Sequence, residues 1–294
     1  MTLTRRRFLT LSAAALALPA DAAPLRWQGY ALGAEVALTL HAPAPQAKAA
    51  LTAVRAVLTH IEQQFSLYDP GSALSRLNRD GRLARPDPDF AALMHLCDDL
   101  HLATADLFDP SVQPMWQALA RGDSVPDVPD WTALRQDATG IRLAPGQALT
   151  FNGIAQGYAT DLARACLVRH GLTRALVNIG EFAALGGPFR LGVADPAGAM
   201  LAVEPLTNRA RATSSPGAMV LNSGTPHILD PKGQRQPLWS TVSVEADSAA
   251  VADAASTAFC LMSETEIDGC LSRLPGQGAR VLLVDATGRI TRIG

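Results

Sequence analysis

Apolar residues recur at helical spacing early in this chain and at strand spacing late, and that order limits the folds open to it. Between Pro45 and Phe65 the positions Ala50, Leu51, Val54, Leu58 and Ile61 form one helical face of about five turns. Asp87 to Ala105 repeats the pattern, with Phe90, Leu93, Leu96, Cys97 and Leu100 inward. A third helix is predicted over Ala155–His170, stopped by Gly171 in a C-cap position. Strands are predicted at Tyr30–Leu40, Ala175–Val177, Phe189–Val193, Ala218–Leu221 and Ser240–Glu245. A helix through Val251–Phe259, a short one near Glu264–Leu274, and two closing strands around Val281 and Ile290 complete the pattern. Helices mostly first and strands mostly later argue an α+β fold rather than alternating βαβ units. With 48% hydrophobic residues the chain can bury a large core, as one domain or two closely packed lobes. Gly122–Ala148, with several Pro and Asp, reads as a surface insertion.

The start reads Thr4-Arg5-Arg6-Arg7-Phe8-Leu9, then an apolar stretch through Leu18, then Ala20-Asp21-Ala22. A basic start, a short apolar core and a small-x-small site make a secretory signal over residues 1–22. It is too short for a membrane span, which needs about 20 apolar residues. The twin arginines fit the export route that carries folded proteins, so a bacterial periplasmic protein is expected, membrane-tethered if the signal stays uncut. Residues 23–294 would be the mature domain, without a transmembrane span. Losing the signal makes the chain more acidic than the −2 of the whole sequence, a poor match to nonspecific nucleic-acid binding. Cys97, Cys166, Cys260 and Cys270 lack metal-type spacing; Cys260–Cys270 could pair, but small buried thiols fit their apolar surroundings better.

In Val251-Ala-Asp-Ala-Ala-Ser-Thr-Ala-Phe259, helical geometry puts Asp253 and Thr257 four residues apart on one face. A carboxylate and a hydroxyl among small residues suit Mg²⁺, which takes few protein oxygens and keeps room for water and substrate phosphate. A solvated helix face explains the pair equally. Tyr68, in a turn after a helix, offers a ring for stacking, against core packing as the plain alternative. Leu107-Phe108-Asp109-Pro110-Ser111 is a sharp turn into a short helix that Asp109 can cap, leaving amides for an anion. Asn152-Gly153-Ile-Ala-Gln156-Gly157 opens a helix through glycines, where backbone can approach a phosphate or simply pack tightly. Asn178–Gly187 reads as strand, glycine turn and strand. His227, on a short apolar strand before a turn, is a structural imidazole or a general base near a phosphate.

In this order the segments resemble the ApbE family, the FAD:protein FMN transferases. The resemblance runs from Gly33 to the end through S-x-Y-x-x-x-S-x-x-S-x-x-N, F-D-P-S-V, G-I-A-x-G-Y-A-x-D, V-N-x-G, H-I-x-D-P and A-D-x-x-x-T-A. It implies one domain of helices packed on mixed, mainly antiparallel sheets. It implies transfer of FMN from FAD to a Thr or Ser hydroxyl of a client flavoprotein, with Mg²⁺ and release of AMP; the client is expected at the membrane. By position, Asp253, Thr257 and the Gly153 carbonyl match metal ligands. Tyr68, Leu107, Phe108, Asp109 and Ile228 match flavin-nucleotide contacts, and His227 matches a proposed base. Leu32, Thr150 and Gln156 occupy nucleotide-site positions where the family usually has Met, Asp and Lys. Glu181 stands for the usual second glycine after V-N-x-G, and Ser214-Ser215 for a Ser-Gly. These departures suggest a divergent branch with a dedicated client, and the twin-arginine signal makes the branch serving nitrous-oxide reduction a candidate. The alternatives are a non-catalytic FAD carrier, or an FAD pyrophosphatase giving FMN and AMP.

Overall fold

The structure, a computed structural model, describes residues 23–127 and 129–294; the proposed signal lies outside them. The chain opens with β1 (Leu25–Ala31), β2 (Ala34–Leu40), α1 (Ala44–Phe65), α2 (Ala73–Asp80), β3 (Arg82–Ala84), α3 (Pro88–Ala103) and α4 (Gln113–Arg121). β4 (Arg135–Asp137), β5 (Gly140–Arg142), α5 (Ala155–Arg169), β6 (Ala175–Asn178), β7 (Phe182–Leu185), β8 (Phe189–Ala194) and β9 (Met200–Leu206) follow. It closes with β10 (Ala210–Ser214), β11 (Thr241–Ala246), α6 (Ala249–Phe259), α7 (Glu264–Leu271), β12 (Arg280–Val284) and β13 (Ile290–Ile293).

Eight strands form one sheet in the order β1-β2-β6-β7-β10-β11-β12-β13, every pair antiparallel. Alternation along the strands sends Ala175, Val177 and Ala183 into the main core with α1 and α5, while Leu176 and Ala184 face the other way. The β8–β9 hairpin covers that second face through Leu191 and Leu206. A small sheet, β3-β5-β4, completes the α+β architecture.

Three sequence expectations change. The opening strand is two strands, because Leu32 and Gly33 both take positive φ (52° and 78°) and turn the chain into a hairpin. Ala218–Leu221 is not a strand; its only ladder contact is a bridge between Val220 and Pro226. The stretch read as a surface insertion is partly anchored, since Trp131 is 3% exposed and β4 and β5 lie within it. All four cysteines are free and buried. No helix among the described residues is long and apolar enough to cross a membrane.

Candidate active site on helix α6

Helix α6 sits between the sheet and α5, and every residue in it except Thr257 is buried. Its run of Ala and Ser makes that possible: small side chains allow close approach of backbone to backbone. Gly157 on α5 completes the fit, for a Cβ there would stand 2.4 Å from the Ala249 carbonyl oxygen. The start of α6 is capped twice. Ser248 Oγ accepts from Val251 N, and the Asp161 carboxylate of α5 receives Ser248 Oγ (2.6 Å), Ala249 N (2.9 Å) and Ala250 N (3.0 Å).

This close packing brings the Gly157 N–H to Asp253 Oδ2 at 3.1 Å, the one hydrogen bond that the Asp253 carboxylate receives. Asp253 is 5% exposed, and burial pushes its carboxyl up to about 7, with the Gly157 bond pulling the other way. One turn on, Thr257 lies 3.4 Å from Ser214 Oγ, and Ser214 shares a 2.7 Å hydrogen bond with Ser256. Gly153 closes the ring: a Cβ there would lie 3.2 Å from Thr257 Oγ1 and 3.7 Å from the Phe108 ring. Glu181, at the β6–β7 turn, is pushed well up by burial and then by repulsion from Asp253, against the pull of the Thr213 N–H. Among the described residues neither carboxylate has an ion-pair partner.

The buried Asp253 carboxylate, the half-buried Glu181 carboxylate and three hydroxyls, with no cationic side chain paired to either acid among the described residues, make an environment short of positive charge. Hard oxygen donors of this kind fit a magnesium-class ion, which keeps several positions for water and phosphate. Asp253 and Thr257 can supply side-chain oxygens from one helix face, and Gly153 a backbone carbonyl.

The remaining predicted residues fall at the edges of this region or outside it. Leu32, at the β1–β2 turn, receives Gln156 Nε2 on its carbonyl at 3.4 Å, and Gln156 also lies against Gly180. Gln156 is thus a neutral tie between two turns. Thr150 N donates to the Pro110 carbonyl at 2.8 Å, joining the Leu107–Asp109 turn to the entry of α5. Leu107, Phe108 and Ile228 are buried in the main core. Asp109 does cap the short turn, receiving Ser111 N (2.7 Å), Ser111 Oγ (2.6 Å) and Trp131 N (3.3 Å), so the Ser111 amide is committed to the cap. Tyr68 is 83% exposed and its ring does not pack over the core.

His227 follows the Val220–Pro226 bridge rather than lying on a strand. Its Nδ1 is 3.2 Å from the carbonyls of both Pro216 and Met219, which places the proton on Nδ1 and leaves Nε2 with a lone pair. Burial lowers its pKa, partly offset by those carbonyls, so the ring stays neutral near neutral pH. Pro216 comes two residues after Ser214, which links His227 to the α6 site.

A second cluster, His60, Asp87 and Asp89, lies elsewhere: His60 Nε2 is 3.4 Å from Asp87 and 3.2 Å from Asp89, and Tyr158 donates to Asp89 at 2.9 Å. It involves none of the predicted metal residues and reads as an ion triad at the start of α3. Sequence reasoning missed Asp161, Ser214 and Ser256 as site-building groups. The acidic end of G-Y-A-x-D was the available signal for the first, and the serine in A-D-x-x-S-T-A for the last.

The architecture recurs in solved structures. The ApbE protein of Thermotoga maritima superposes with a TM-score of 0.80 at 23% identity, covering 92% of this chain and 97% of that one. The flavinyl transferase ApbE of Pseudomonas stutzeri gives 0.76 at 24%, covering 92% and 94%. The flavin transferase ApbE of Vibrio cholerae gives 0.75 at 19%, covering 92% and 96%. An FAD:protein FMN transferase of Rhodobacter capsulatus is 28% identical over 289 residues, covering 88% of this chain and 55% of that protein. The chain therefore spans about half the length of that relative. Residues 32–282 match the ApbE family and include every residue of the α6 region, so the chain belongs to the ApbE family.

Proposed function

We propose that this chain transfers FMN from FAD to a Thr or Ser hydroxyl of a client flavoprotein, releasing AMP. The observation that carries the reading is Asp253: a buried carboxylate with one N–H donor and no cationic partner among the described residues, on the helix whose Ser256 and Thr257 meet Ser214. A magnesium-class cation bound by Asp253, Thr257 and the Gly153 carbonyl would neutralise the pyrophosphate and stabilise its leaving group. The other tasks fall to the protein's own groups. The client hydroxyl oxygen forms a bond to the FMN-side phosphorus as the bond from that phosphorus to the AMP oxygen breaks. The hydroxyl proton passes to His227 Nε2, whose neutral form is favoured by burial and by the two carbonyls at Nδ1. The Gln156–Leu32 tie holds the β1–β2 turn against the opening of α5.

The proposal includes export to the periplasm by the twin-arginine route, on the strength of Arg5-Arg6 and the apolar stretch behind them. The membrane flavoprotein of nitrous-oxide reduction is the client to try first. Purified protein, FAD, Mg²⁺ and a client fragment should give a covalent flavin adduct and one AMP per adduct. FAD that stays intact throughout, with the fragment unlabelled, sinks the proposal and favours a carrier.

A further inference from the structure

The buried and half-buried acids around the sheet fall into two sorts. Asp109 receives three hydrogen bonds, Asp230 receives the amides of Lys232, Gln234 and Arg235, and Glu245 is paired with arginines. The Asp253 carboxylate receives one N–H, and so does the half-buried Glu181 carboxylate, from Thr213 at 3.3 Å. A buried carboxylate with so little compensation is costly unless a cation joins it.

The backbone aims Glu181 on purpose. Gly180 takes φ +87° and lies so close to Gln156 that a side chain there would collide with it. The Glu181 carbonyl is held by Ile179 N at 3.0 Å and by Thr160 Oγ1 at 3.3 Å. The β7–β10 ladder stops at Phe182 and Arg211, so the Thr213 N–H beyond it meets the Glu181 carboxylate instead of a strand carbonyl. That places the carboxylate beside Thr213-Ser214, whose serine touches Ser256 and Thr257. Accepting one N–H does not require a charge; a glutamine would serve.

We propose that Glu181 is a further oxygen ligand, direct or through a water, for the divalent cation at Asp253 and Thr257. The inference rests on the cation reading under Proposed function. With Glu181, the site carries two negative charges toward the ion rather than one, and Thr150 and Gln156 on the α5 side contribute none.

Mn²⁺ titrated into the metal-free protein without flavin, followed by calorimetry and by the loss of the free-ion electron spin resonance signal, tests it. The unaltered protein should bind one ion, and Glu181→Gln should weaken binding at least tenfold while its thermal midpoint without metal is unchanged or higher. Asp253→Asn should weaken binding further. Glu181→Gln with unaltered Mn²⁺ affinity overturns the Glu181 proposal and leaves the Asp253 site standing. Equal binding by the unaltered protein and Asp253→Asn overturns both. Glu181→Ala keeps the outcomes separable: a purely structural acceptor would lower the thermal midpoint in Ala yet leave Gln at full affinity, which counts against ligation.

Discussion

Strand β10 runs past two carboxylate environments a short step apart, and they are built in opposite ways. At Arg211, paired in register with Glu245, the acid is surrounded by charge: Arg211 Nη2 at 2.6 Å, Arg209 at 3.0 Å as a charge contact without an aligned hydrogen bond, and Arg280 at 3.7 Å. Further along, near Thr213 and Ser214, the Glu181 and Asp253 carboxylates each accept a single amide, and Ser214 bonds Ser256 of α6. The first environment has its charge balanced by the protein's own arginines, although Arg209 Nε and Arg211 Nη1 are buried without a hydrogen-bond partner. The second has no ion-pair partner among the described residues, and a bound divalent cation would balance its carboxylates. What separates them is where arginine occurs in the sequence, for β10 borders both.

The sharpest way to break the contrast is to remove Asp253. Asp253→Ala should lower flavin-adduct formation by roughly three orders of magnitude, the scale of several kcal/mol of transition-state stabilisation. In-gel flavin fluorescence of the client reads it. Adduct formation within tenfold of the unaltered protein would mean that Asp253 holds nothing essential.

The paired environment should respond to mutation through stability. Arg211→Met leaves Glu245 buried with weaker partners and should cost about 3–5 kcal/mol, the penalty for breaking a buried ion pair. Urea unfolding measures it. Glu181→Gln in metal-free protein should cost nothing at neutral pH, since a neutral amide oxygen accepts the Thr213 N–H as the carboxyl does. If both substitutions cost alike, the two acids are equivalent and the comparison fails.

The pH dependence sharpens it further. Burial raises Asp253 to about 7 from its ordinary 3.8, and Glu181 moves the same way. Both therefore hold protons more tightly folded than unfolded. Their contribution to stability is full below the unfolded values, near 4; that of Asp253 is lost as pH rises through about 7, and Glu181 acts in the same direction. Each group can contribute a slope of up to about 1.4 kcal/mol per pH unit. Metal-free protein should thus lose stability across that window, Mg²⁺ should flatten the loss, and Asp253→Asn should flatten it without metal. Superimposable pH profiles for the unaltered protein and Asp253→Asn would remove the basis for an unsatisfied site.

How much of this could be read from residues alone follows from where each signal lies. Helix α1 was legible because Ala50, Val54, Leu58 and Ile61 repeat at one period, and they are buried as that period requires. The Asp253–Thr257 pair was legible because both lie on one short helix. The hairpin at Leu32-Gly33 was not, since it lacks the Asn-Gly or Asp-Gly that usually announces two positive φ values. β10 was missed because buried Arg211 interrupts its apolar pattern, and its compensation comes from Glu245, far along the chain. Glu181 could be seen only as a departure from the family pattern. Its neighbour Asp253 is brought beside it by the packing of α5 on α6, which no local pattern encodes.

That packing gives the smallest expected effect and the most local one. Asp161 on α5 accepts from Ser248 Oγ, Ala249 N and Ala250 N, so it fixes where α6 begins relative to Gly157. Asp161→Ala should cost about 1–2 kcal/mol as a lost cap. If α6 is held only by its apolar contacts, that is the whole effect, and Mn²⁺ affinity in folded protein stays as it was. If the cap also sets the height of Asp253 against the Gly157 amide, affinity falls together with stability, while Arg211→Met lowers stability alone. Measuring both quantities in both variants therefore distinguishes a helix that merely fills space from one whose start is fixed so that Asp253 meets its partners.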